Sequence, residues 1–154
     1  MRTCICSPCG ILGYGFPQES FQRALAEKPD AIVVDAGSTD AGPHKLGAGV
    51  AIVSRMAAKK DLRLLMQGAR ELDIPLVIGS AGGSGAHIHT EWTLSIIREL
   101  CDEMDWHPKT AVIWADISNE VILDAMAQGR IEKMSENVPD LTPETLTQTN
   151  GVVA

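Results

Sequence analysis

The chain has 154 residues, the size of one ordinary domain, and 45 % of them are hydrophobic. Its formal net charge of −7 argues against nucleic acid as a main partner, because phosphate binding requires a basic face. No apolar run approaches the roughly 20 residues that cross a membrane, and the start MRTCICSPCG does not have the pattern of a secretory signal. We therefore expect a cytoplasmic protein with neither a nucleic-acid nor a membrane partner.

Strand and helix patterns alternate along the chain. The predicted strands cover residues 2–6, 31–35, 75–79 and 110–115, and the predicted helices cover residues 18–27, 54–72, 90–104 and 120–128. The strands are apolar throughout, which is typical of a parallel sheet with helices on both faces. We predict an α/β fold, a three-layer sheet of about four parallel strands with βαβ connections, in one domain over residues 1–154.

The pattern weakens after residue 130. Thr142, Pro143 and Glu144 nevertheless form a helix start, with a capping hydroxyl, a proline at the first helical position and a carboxylate near the positive helix end. Few residues follow this start, which indicates either a short closing turn or a chain that is cut short.

Three cysteines, Cys4, Cys6 and Cys9, lie near the start, and Cys101 stands alone. Zinc sites usually contain a second C-x₂₋₄-C pair or histidines at matching spacing, and neither follows here. We predict plain buried or partly buried thiols. A redox or nucleophilic role for Cys9 and a metal site remain as alternatives.

Glycine-rich loops follow the first three predicted strands, at residues 10–15, 37–49 and 79–85. In a parallel sheet these loops emerge at the carboxyl edge, where α/β proteins bind ligands. Glycine lets a ligand approach the backbone, and the helix after the third loop offers its positive end to an anion. The predicted ligand-binding residues are Gly13, Gly15, Gly37, Ser38, Thr39, Gly79, Ser80, Gly82, Gly83 and Gly85. The alternative is that these glycines serve only tight turns.

No dinucleotide or P-loop fingerprint occurs in these loops, so no cofactor is predicted. The candidate catalytic residues are Asp35, Asp40 and His87, which lie at the same predicted edge. A carboxylate at the end of a buried strand is costly unless it is paired, caps a helix or has a function. His87 and His89, together with a carboxylate, offer a metal site as a weaker alternative to acid–base chemistry. Asp116 is predicted to cap the helix after it. No metal site is predicted.

Three stretches carry a family resemblance: GILGYGFPQESFQRAL, PDAIVVDAGSTDAGPHKLG and IPLVIGSAGGSGAHIHTEWTLSIIRE. They resemble the N-terminal region of the acyclic terpene utilisation (AtuA-like) proteins, from about Cys6 to about Pro143. The family is associated with the breakdown of acyclic terpenes and related branched or organic acids. Its members are longer than this chain, so the resemblance implies the N-terminal part of a longer architecture.

These observations favour an enzyme, or its substrate-binding half, that acts on a small anionic or CoA-linked metabolite. The expected chemistry is non-redox, a lyase- or hydratase-type step such as hydration, elimination or isomerisation. The alternative is a non-catalytic ligand-binding or assembly domain, which would form homo-oligomers or bind a partner C-terminal chain.

Overall fold

The structure, a computed structural model, describes residues 2–37 and 42–153. Its strands are β1 (Ile5–Cys6), β2 (Ala31–Asp35) and β3 (Leu76–Gly79). Its helices are α1 (Gln18–Ala26), α2 (Gly42–Ala48), α3 (Arg55–Leu72), α4 (His87–Met104), α5 (Asn119–Ala127) and α6 (Pro143–Thr147), and a single 3₁₀ turn spans Ala81–Gly83. The three strands form one parallel sheet in the order β1-β2-β3. The predicted α/β class with a parallel sheet is confirmed.

One face of the sheet carries the core. Ile32 and Val34 of β2 are buried there, and helix α3 contacts both β2 and β3. Val77 of β3, which pairs with Val33 of β2, lies on the other face and is 49 % exposed. The predicted three-layer arrangement is therefore not confirmed, because an apolar side chain of β3 stays half exposed on the second face.

The predicted fourth strand does not form in this structure. Residues 110–115 have no regular secondary structure, and Ile113 is 92 % exposed. The chain makes an antiparallel bridge just beyond them, between Asp116 and Val153, and the amide of Ile117 donates to the carbonyl of Val152 over 2.9 Å. The four-stranded sheet is therefore not confirmed. An apolar segment becomes a strand only where the fold brings it beside the edge of another strand, and its composition alone does not decide that.

Most predicted helices form near their predicted bounds, and the cap predicted at Thr142 is confirmed. Ser54 accepts from the amide of Ala57 at the start of α3, and Thr142 accepts from the amide of Thr145 at the start of α6. Helix α4 begins at His87 rather than at residue 90.

Helix α2 lies inside the segment predicted as a loop. Its two glycines and one proline hide its helical character in the sequence. The end of α2 is stabilised from far along the chain. The backbone N–H of Asn150 donates to the Gly47 carbonyl over 2.8 Å, and the side-chain Nδ2 of Asn150 donates to the Ala48 carbonyl over 3.2 Å.

Helix α1 packs closely on α3 at Gly68. A Cβ atom at this position would lie 2.9 Å from Leu25 Cδ1 and 3.0 Å from Phe21 Cζ, so the missing side chain lets the two helices approach. Among residues 2–37 and 42–153, every helix is too short or too polar to cross a membrane.

Candidate functional site

The loops after the three strands are joined at the carboxyl edge of the sheet. β2 and β3 end side by side, with Asp35 opposite Gly79. The main-chain oxygen of Asp35 accepts from the amide of Leu12 over 2.8 Å, and the amide of Ala36 donates to the carbonyl of Gly79 over 2.8 Å. These bonds bring the first and third glycine loops to the end of β2, as the parallel topology predicts.

Asp35, Gly37 and Ser80 form the centre of this edge. The Asp35 side chain is exposed, and its Oδ1 accepts from the amide of Gly37 over 2.8 Å. A Cβ atom at Gly37 would lie 2.6 Å from Ser80 Cβ, 2.9 Å from Ser80 Oγ and 3.1 Å from Asp35 Oδ1. Ser80 therefore packs directly against Gly37, where any side chain would clash with it, and the Asp35 carboxylate lies beside the same point.

Ser80 has an unusual backbone conformation. Its φ of 47° and ψ of 43° place it in the left-handed region, which residues other than glycine rarely adopt. Such residues cost about 1–3 kcal/mol each and cluster at functional sites. The strained Ser80 lies at the same edge as the Asp35 carboxylate, beside Gly37.

The other glycines of the third loop contact the protein itself. Gly82 has φ 73° and lies so close to the carbonyl of His89 that no Cβ atom fits between them. A Cβ atom at Gly83 would lie 3.2 Å from Ile52, and one at Gly85 would lie 3.4 Å from Ala115. Close backbone packing explains these glycines in part, and their predicted ligand contacts remain predictions.

The amides of Gly13 and Gly15 donate hydrogen bonds to Asp61, a carboxylate that is not among the predicted site residues. Both amides bond to Asp61 Oδ2, over 2.8 Å and 2.9 Å, and Asp61 is only 2 % exposed. These two glycines therefore hold Asp61 in this structure, and their predicted ligand contact remains a prediction. A signal was present in the sequence, because Asp61 stands in the buried stripe of α3 with Ala58 and Leu65.

His87 and His89 have different surroundings. His87 is exposed, and its ring lies 4.5 Å from the ring of Trp114. His89 is 2 % exposed; its Nε2 lies 3.1 Å from the Val50 carbonyl, and its Nδ1 lies 3.0 Å from Ser84 Oγ. Since a carbonyl only accepts, Nε2 of His89 carries a proton. His89 therefore ties the third loop to residue 50. Where the chain is described, no three His, Cys, Asp or Glu side chains are placed to hold a metal ion.

Asp116 caps a different helix from the one predicted. Its Oδ1 accepts from the amide of His87 over 3.0 Å, at the start of α4. Helix α5, which follows Asp116, is capped by Ser118 through the amide of Val121 over 3.4 Å. The correction has a simple reason: the tertiary fold brings residue 116 to α4, and the nearer Ser118 serves α5.

Asp35 and His87, two of the three predicted catalytic residues, contact different groups. Asp35 contacts Gly37, whereas His87 contacts Trp114. Asp40, Ser38 and Thr39 lie outside the described residues. Asp35 is therefore the predicted acid–base residue that the structure places at the carboxyl edge beside a second polar side chain.

Three of the four cysteines lie where burial disfavours the thiolate. Burial raises the pKa of Cys6, Cys9 and Cys101, and the charge of Asp61 adds to the effect at Cys9. A raised pKa lowers the fraction of thiolate at neutral pH. The geometry thus favours the plain partly buried thiol over the nucleophilic alternative for Cys9.

A cavity of about 710 Å³ lies beneath the third loop, between β3, α4 and residues 106–115. Gly79, Ser80 and Gly85 line one end of it, so three predicted ligand-binding residues border this cavity. Its volume falls in the range of about 300–1,000 Å³ that small-molecule pockets usually have.

Comparison of the chain with protein-family models, with curated proteins and with solved structures gives no match. The AtuA-like resemblance therefore remains an expectation from sequence. The roles of residues in this chain follow from its own contacts, burial and charge.

Proposed function

We propose that this chain is a cytoplasmic small-metabolite-binding domain of an AtuA-like protein, which binds a branched organic acid or acyl-CoA at the carboxyl edge of its sheet. The observation that carries the proposal is the convergence of Asp35 and Ser80 at Gly37, whose missing side chain lets Ser80 approach the end of β2. Three features support one site: an exposed carboxylate, a strained serine and a glycine that permits their close approach.

The chemistry that fits this arrangement is non-redox proton transfer. Asp35 is exposed at the strand end and accepts a backbone hydrogen bond through Oδ1, which orients the carboxylate. In the proposed reaction Asp35 removes a proton next to a carbonyl, as in hydration, elimination or isomerisation. Ser80 donates a hydrogen bond to the carbonyl or carboxylate of the ligand, and Asp40 and His87 remain the alternative predicted acid–base residues.

Binding tests this proposal directly. We expect acetyl-CoA, a branched acyl-CoA or a citrate-like acid to bind the wild-type chain in calorimetry. Gly37→Ala should weaken binding at least ten-fold, about 1.4 kcal/mol, because its methyl group would lie 2.6 Å from Ser80 Cβ and displace Ser80 from the site. Gly10→Ala is the matched control, since a Cβ atom there meets no atom within 4 Å.

Two further results separate the outcomes. Asp35→Asn should retain binding and lose any turnover if Asp35 is the base. Equal affinities of wild type, Gly37→Ala and Gly10→Ala, with all three folded by circular dichroism, would contradict the proposed site.

An assembly domain is the second candidate function, and the open side of β3 favours it. In the described residues β3 is the last strand of the sheet. Val77 within β3 and Ile113 in the segment after α4 are both exposed. In this interpretation the predicted four-stranded sheet forms when residues 110–115, or a strand of another chain, pair with β3. Sedimentation over a range of concentrations tests it, and a monomer throughout would contradict self-assembly.

A further inference from the structure

The cavity beneath the third loop has a chemistry of its own. Its walls come from Leu76 and Ile78 of β3, Leu94 and Ile97 of α4, and Trp106. The cavity has a volume of about 710 Å³, is partly open to solvent and has more apolar than polar surface on its lining. A space of this size with mainly apolar walls is suited to an apolar group that the chain itself does not supply.

The hydroxyls on the α4 wall do not make it polar. Thr90 donates to the carbonyl of Gly85 over 3.0 Å, and Thr93 donates to the carbonyl of His89 over 3.1 Å. Because both hydroxyls are bonded within the protein, a ligand does not need to supply a partner for them.

The cavity has a polar end at the third loop. Ser80 lies on its lining and also packs against Gly37 beside Asp35. Ser80 therefore belongs both to the cavity wall and to the candidate site. At the other end the lining includes Asp73 and the exposed Lys109.

We infer that this cavity holds the apolar tail of a ligand whose polar head lies at Ser80. The ligand class is an acyl chain or a similar aliphatic chain with one polar head. The position of the head rests on the proposed function, whereas the occupancy of the cavity by an aliphatic chain does not. Pairing of residues 110–115 with β3 would close the cavity, so this inference and the assembly function exclude each other.

Chain length provides the test. The wild-type chain is titrated with hexanoate, octanoate, decanoate and dodecanoate, and with decanol, all below their micelle-forming concentrations. We expect the affinity to rise about four-fold for each added methylene until the cavity is full. An affinity that does not depend on chain length would overturn the inference.

Two tryptophan substitutions on α4 locate the chain. Ile97 lines the cavity and Arg98 beside it is exposed. Ile97→Trp should fill the space and weaken decanoate binding at least ten-fold, whereas Arg98→Trp should leave it unchanged. Equal affinities of the two variants would overturn the inference.

A measurement on the unfilled cavity covers the case in which Ile97→Trp does not fold. Brominated decanoate should quench the fluorescence of Trp106, which lines the cavity, and Trp106→Phe should remove that part of the quenching. The same quenching in wild type and Trp106→Phe would place the chain elsewhere and overturn the inference.

The inference and the proposed function fail separately. Binding of acetyl-CoA that is sensitive to Gly37→Ala, without any dependence on chain length, would overturn the tail site and retain the proposed function. Binding of decanol and decanoate in the cavity, with no binding of acyl-CoAs or organic acids at the carboxyl edge, would retain the tail site and contradict the proposed function.

Discussion

At the scale of single residues, Asp61 shows how a buried charge shapes a loop next to the candidate site. A carboxylate that is 2 % exposed must be compensated by hydrogen bonds, and the amides of Gly13 and Gly15 provide them. Both glycines have positive φ, 98° and 80°, which turns their amides toward one oxygen. The same loop is also bonded to the end of β2, where the amide of Leu12 donates to the carbonyl of Asp35.

Replacement of Asp61 should destabilise the fold. Asp61→Ala leaves two amides without their acceptor, so we expect the free energy of unfolding to fall by about 2–4 kcal/mol. Urea denaturation measures it, with Asp102→Ala as a control because Asp102 is exposed on α4. A loss as small as that of the control would show that water replaces the carboxylate without cost.

At the scale of elements, a row of ion pairs joins α3 to α4. Lys59 bonds to both Glu99 and Glu103, Arg55 bonds to Glu99 over 2.7 Å, and Arg63 bonds to Glu103. The apolar faces of the same helices meet in the core through Leu62 and Leu65 of α3 and Ile96 and Leu100 of α4. The ion pairs fix the relative position of two helices that the core already holds together.

These ion pairs predict a dependence of stability on pH. The hydrogen bond from Lys59, followed by those from Arg55 and Arg63, lowers the pKa of Glu99 and of Glu103 below the ordinary value of 4.5. A carboxylate with a lowered folded pKa contributes stability above its unfolded pKa and loses it as the pH falls through the folded pKa. Lys59, whose pKa is raised by Glu103 first and then Glu99, loses its contribution only at high pH.

The melting temperature between neutral pH and about pH 3 tests this dependence. We expect wild type to lose more stability over this range than Glu99→Gln/Glu103→Gln, and the difference should shrink in high salt because the pairs are exposed. Glu19→Gln/Glu27→Gln is the control, since Glu19 on α1 and Glu27 just after it are exposed. Parallel curves for wild type and the α4 variant would contradict the effect of the ion pairs.

At the scale of the whole molecule, the described chain divides into a packed body and a largely exposed later part. Residues 109–141 are mostly exposed, and they carry exposed apolar side chains such as Ile113, Val121 and Met134. They are joined to the body near residue 116, by the Asp116 cap on α4 and the bond from Ile117 to Val152. Residues 110–115 belong to this part of the chain. They either line the cavity or pair with β3 as the fourth strand.

Amide exchange of residues 110–115 should distinguish the two. We expect these amides to exchange much faster than those in the middle of α3, because residues 110–115 have no regular secondary structure. Slow exchange in dilute solution would indicate a fourth strand on β3. Slow exchange only at high concentration would indicate pairing between copies.

The sequence by itself determined the elements whose signals are local. The apolar periodicity of α1 and α3, the apolar run of β2, and the caps at Ser54 and Thr142 depend on residues within a few positions of one another. Of the site, the carboxyl edge and Asp35 could be predicted, because parallel strands bring their carboxyl ends to one edge. The strained conformation of Ser80 could not be read from its residue type.

The tertiary structure alone decided the rest. Helix α2 depends on Asn150, the role of Asp61 depends on two glycines 46 and 48 residues away, and the position of residues 110–115 depends on what lies beside β3. His89, only a weaker candidate for a metal site in the sequence, bonds to the Val50 carbonyl. The physical reason is the same in each case: a polar group finds the partner that the fold brings close, and neither composition nor periodicity records which partner that is.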